Sequence, residues 1–102
     1  MSGTMAERRR LLDRRLDLVG VMCGLNAEAL RVLQSIAAIE IDIQRLEAED
    51  DGGAPQAPEE LRAATDEAAA LRDAQAACEM RIETVEAEMF EIDRLLAAMT
   101  DD

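Results

Sequence analysis

The chain has 102 residues, room for one small domain, with 11 basic and 23 acidic side chains and a net charge of −12. It contains no His, so the commonest general base and metal ligand is missing. Its single aromatic, Phe90, makes no stacking platform for single-stranded nucleic acid.

Every basic residue is Arg, and 19 residues are Ala. An apolar content of 49%, dominated by Ala and Leu and interleaved with Glu and Arg, marks long helices or coiled coils, not a disordered chain. Abundant Ala and Arg without Lys points to a GC-rich bacterial or phage genome.

The first element opens on Thr4-Met5-Ala6-Glu7, a capping-box pattern with Thr4 as cap and Glu7 three residues on. The spacing predicts helix 1 over about 5–50. Its apolar seam steps by three and four: Leu11, Arg15, Leu18, Met22, Leu25, Ala29, Val32, Ile36, Ile39, Ile43, Leu46. A linker follows over 51–58, where Gly52 is placed to end the helix left-handed and Pro55 and Pro58 bar its continuation. Pro58 with Glu59 and Glu60 suits the first turn of a second helix, predicted over about 59–100. Its seam is Leu61, Ala64, Ala68, Leu71, Gln75, Cys78, Ile82, Val85, Met89, Ile92, Leu96, Met99.

A short linker between long helices sets them antiparallel. The expected fold class is therefore all-α: an antiparallel two-helix coiled-coil hairpin, roughly 60 Å long, completed by self-association into a bundle or ring. The linker pairs positions whose numbers sum to about 110. Ile43 then faces Ala68 and Leu46 faces Ala64, large against small. Glu40 falls near Arg72 and Glu28 near Arg81. The Arg-rich start falls beside the acidic end, Glu88, Glu91, Asp93, Asp101 and Asp102.

Helix 1 carries a second apolar stripe, Leu12, Leu16, Val19, Cys23, Leu30, Leu33 and Ala37. One partner helix cannot cover both stripes, and each large aliphatic side chain left wet forgoes about 1.5–3 kcal/mol. The stripe is thus the candidate interaction surface, and a homo-oligomer is expected. Two copies meeting about a two-fold axis is the favoured geometry. A head-to-tail contact with the alanines of helix 2 (Ala63, Ala70, Ala74, Ala77) would instead give a ring or filament. A helix of another protein could occupy the same stripe.

Other candidate chemistry reads as structural. Cys23 and Cys78 sum to 101, not about 110, a displacement of roughly 13 Å, too far for a disulfide. Cys78 sits on the seam as a small apolar side chain, and reduced thiols suit the cytoplasm. Glu79, Glu83, Glu86 and Asp93 could collect a cation but read as a solvated face; no metal, cofactor or catalytic residue is assigned. Arg8, Arg9, Arg10, Arg14 and Arg15 are the one basic cluster, a candidate phosphate contact set against a net acidic chain. No stretch reaches the roughly 18–20 apolar residues of a membrane span, and Asp13 and Asp17 argue against a signal peptide.

Gly20, Gly24 and Asn26 make 20–26 the weakest stretch of helix 1, open to a bend or to a close partner backbone. Of the two polar seam residues, Arg15 reads as snorkelling to solvent and Gln75 as a device that fixes register. The expected role is a non-enzymatic scaffold or adaptor. The hairpin shape is also that of export-type chaperones, and the chain could equally be a regulatory subunit that binds a partner helix. The shape is also that of the ring-forming cores of phage-type DNA-packaging small subunits. Nucleic acid is expected as a partner only in the ring form.

Overall fold

A computed structural model describes residues 4–100, the side chain of Thr100 excepted. Two helices account for the fold, α1 over Met5–Asp51 and α2 over Ala57–Thr100. They pack against each other as an antiparallel hairpin, as the heptads required.

The start of α1 follows from Thr4. Its Oγ accepts the Glu7 N–H at 3.0 Å, and its carbonyl accepts the first helical bond, from Arg8 N–H. The helix then runs through Gly20 and Gly24 without interruption. Beyond the local helix backbone, neither glycine has an atom within 4 Å of where a Cβ would stand.

The end of α1 differs in detail from expectation. Gly53, not Gly52, takes the left-handed conformation, with φ +79°. Gly52 still donates helically, its N–H reaching the Ala48 carbonyl at 3.1 Å. The Ala54 N–H then bonds the Glu49 carbonyl and the Gly53 N–H the Asp50 carbonyl, both at 3.0 Å, which is the nested pair of a Schellman motif. The motif needs its left-handed residue one place beyond the last helical donor, and Gly53 holds that place.

Helix α2 begins at Ala57, two residues before the expected start. Glu60 N–H donates the first helical bond to the Gln56 carbonyl at 3.1 Å. Pro58 therefore sits inside the first turn, where backbone N–H groups have no helical acceptor and its missing donor costs nothing. Glu59 and Glu60 place negative charge at the positive end of the helix. Ala57 is 1% exposed, a core residue outside the heptad seam.

The chain divides into two compact units. One comprises residues 4–27 with 79–100, the other Glu28–Cys78. In the Glu28–Cys78 unit, Ile39, Leu46, Ala64 and Ala68 form the buried cluster, with Ile43, Leu61 and Leu71 packed on it. Ile43, Leu46, Ala64 and Ala68 among them are the residues for which large-against-small pairing was expected. Arg72 donates to Glu40 at 2.8 Å, in keeping with the expected register. In the other unit Leu18, Leu25 and Ile92 are buried. Every residue of both seams is buried or half-buried, and no described polar residue is buried.

Candidate interaction surface

The heptad places one flank of α1 outward, and the second stripe follows it. In the unit of residues 4–27 with 79–100, Leu12 is 45% exposed, Leu16 70% and Val19 37%; Cys23 is an exposed thiol. In the Glu28–Cys78 unit, Leu30 and Leu33 are likewise exposed, while Cys78 is buried. The alanines at 63, 70, 74 and 77 are exposed on α2.

Sequence reasoning passed over Phe90, which is 72% exposed. Phe90 lines a shallow groove with Met22, Asn26, Ile82, Glu86, Met89 and Asp93. Asn26 lies one heptad beyond Val19 and three residues beyond Cys23, on the stripe's own side of α1. The aromatic ring therefore adds to the α1 stripe from α2. Its position just after the seam residue Met89 was the available signal, since that offset points to the flank where the stripe lies. Val21 and Met80, also exposed, line a separate groove with Leu25, Arg81, Thr84 and Val85.

The arginine cluster separates into two groups. Arg14 donates through Nε and Nη2 to the two Glu88 oxygens, at 2.6 and 3.1 Å. Arg15 does the same to Asp93, at 2.6 and 3.3 Å. The seam arginine thus has a bidentate partner, rather than only reaching out to solvent. Hydrogen bonding from Arg14 holds the Glu88 carboxyl below the usual range, and hydrogen bonding from Arg15 does so for Asp93. Glu91 is held down by Arg94, three residues along the same helix. Arg8, Arg9 and Arg10 meet no carboxylate among the described residues; Asp101 and Asp102 lie outside them.

Among the described residues, no group of three His, Cys, Asp or Glu side chains is placed to hold a metal ion. Among the described residues, no helix is long and apolar enough to cross a membrane. Comparison with protein-family models, with curated proteins and with solved structures finds no match.

Proposed function

We propose that this chain is a non-enzymatic scaffold or adaptor of the cytoplasm, a helical hairpin that self-associates through the outer stripe of α1. The exposure of Leu12, Leu16, Val19, Leu30 and Leu33 carries the reading. All five lie on a helix whose coiled-coil seam is already satisfied by α2. Contiguous apolar surface of this kind is an interface in most soluble proteins, and two-helix hairpins are marginal on their own. The lack of His and of a nucleophile beside a base supports a binding role over catalysis.

The test is Leu16→Asp, which places a charge on the most exposed aliphatic side chain of the stripe. It should convert an oligomeric wild type to monomer while the circular dichroism stays helical. An oligomer that survives the substitution would move the interface elsewhere.

A second reading, a ring-forming subunit that handles DNA, draws on Arg8, Arg9 and Arg10, which meet no described carboxylate. A salt-sensitive DNA mobility shift, lost when these arginines are replaced, supports it. No shift at low salt removes it.

A further inference from the structure

We propose that the stripe of one copy docks antiparallel on the same stripe of a second copy, in one register. In that register Arg8 and Arg9 of each copy lie over Glu79, Glu83 and Glu86 of the other. The proposal rests on the self-association reading and adds a partner geometry to it.

The unit of residues 4–27 with 79–100 supplies both halves of the complementarity. Glu86 and Phe90 share a groove with Asn26, on the stripe's side of α1. Glu83 and Glu79 precede Glu86 by three and seven residues, so they continue the same face of α2. The apolar stripe is thereby rimmed by a row of carboxylates that meet no described cation. Arg9, the next member of that stripe, and Arg8 share a groove with Leu12 at its start and meet no described carboxylate. A second copy is a partner that carries both charges in the matching order.

Heptad geometry limits the registers. Extended toward its start, the stripe reads Arg9, Leu12, Leu16, Val19, Cys23, Asn26, again in steps of three and four. Antiparallel layers pair positions with a constant sum, and the spacing allows sums of 28, 35, 42, 49 or 56, of which 28 sets Arg9 against Val19 and 56 sets Asn26 against Leu30, a polar group facing an apolar one in each. A sum of 35 pairs Leu16 with Val19, Leu12 with Cys23, Met5 with Leu30, and the two polar members, Arg9 and Asn26, with each other, and leaves Leu33 outside the contact. A sum of 42 sets Asn26 against Leu16, a polar group facing an apolar one. A sum of 49 covers Leu33 as well. It also brings the carboxylate rows of the two copies level and carries Arg8 and Arg9 past them. Like charges set side by side oppose that arrangement.

The test is a charge swap read by sedimentation equilibrium at low salt. One chain carries Arg8→Glu and Arg9→Glu; another carries Glu79→Arg, Glu83→Arg and Glu86→Arg. Each alone should dimerise at least about tenfold more weakly than wild type, and their mixture should recover wild-type affinity. In a Cys23→Ser background, a Leu16→Cys chain should cross-link to a Val19→Cys chain on oxidation. Reversals without effect, a mixture that recovers nothing, or cross-linking of Leu16→Cys with Leu33→Cys instead would overturn the register. In those cases self-association itself still stands. A monomeric wild type would overturn both, and capture of a basic amphipathic peptide by that monomer would assign the stripe to a foreign helix.

Discussion

Arg14 and Arg15 are adjacent in sequence yet reach two different carboxylates, Glu88 and Asp93, because each residue of a helix points about 100° from the last. Both carboxyls are held below their usual range by the guanidinium that donates to them. The sign of the linkage follows. The folded state binds the proton less readily than the unfolded state, so the contribution is present above the ordinary carboxylate pKa. It is lost as pH falls through the lowered folded value. Asp93→Asn should lower the melting temperature at neutral pH by a small amount, since the pair is solvent-exposed and screened. The difference should close on acidification below the ordinary carboxylate range. Thermal melts of the two proteins across that range check it; a gap that widens in acid would contradict it. The pairing of the arginine-rich start with the acidic end was legible from charge and register. The choice of partner was not, because it depends on side-chain reach across a few ångströms. Phe90 was missed for a related reason: it is one position off the seam, and its importance appears only when both helices are placed together.

The two helices were legible because a heptad is a local signal repeated many times. Each of the eleven positions from Leu11 to Leu46 was assigned by the same three-four step, and all of them are buried or half-buried. The turn was legible in kind but not in detail. Two adjacent glycines offered two places for a left-handed residue, and the nested bonds from Gly53 and Ala54 decide between them. Substitution separates the two glycines. Gly53→Ala should destabilise by about 1 kcal/mol, because a Cβ is strained at positive φ. Gly52→Ala should be neutral or stabilising by up to about 1 kcal/mol, because its Cβ would meet only ordinary contacts near 3.5 Å. Urea titrations measure both; equal costs would contradict the assignment. Pro58 in the first turn of α2 was legible, and the helix starts only two residues before the expected position, because Gln56 offers the first helical acceptor. Gln75 remains a polar side chain on the seam, half-buried. Gln75→Leu should raise the melting temperature, and the mass distribution should broaden if the glutamine fixes register. An unchanged melting temperature with one sharp oligomer would contradict that role.

At the scale of the whole molecule, charge and apolar surface are divided between the helices. Residues 1–50 hold 7 Arg and 9 acids, net −2, whereas residues 51–102 hold 4 Arg and 14 acids, net −10. The acidic face of α2 keeps part of the hairpin in water, while α1 shows aliphatic side chains that the fold leaves uncovered. If the uncovered stripe is an interface, folding and association are linked, and the melting temperature should rise with protein concentration. The fold could be read from one chain because one chain contains both halves of the seam. The partner surface could be read only as an excess, since what covers it lies outside a single copy. Mass in solution tests this most directly. Native mass spectrometry at about 20–50 μM, well above the dissociation constant of a specific dimer, should give twice the 11.2 kDa of one chain. A clean monomer under those conditions would contradict the account.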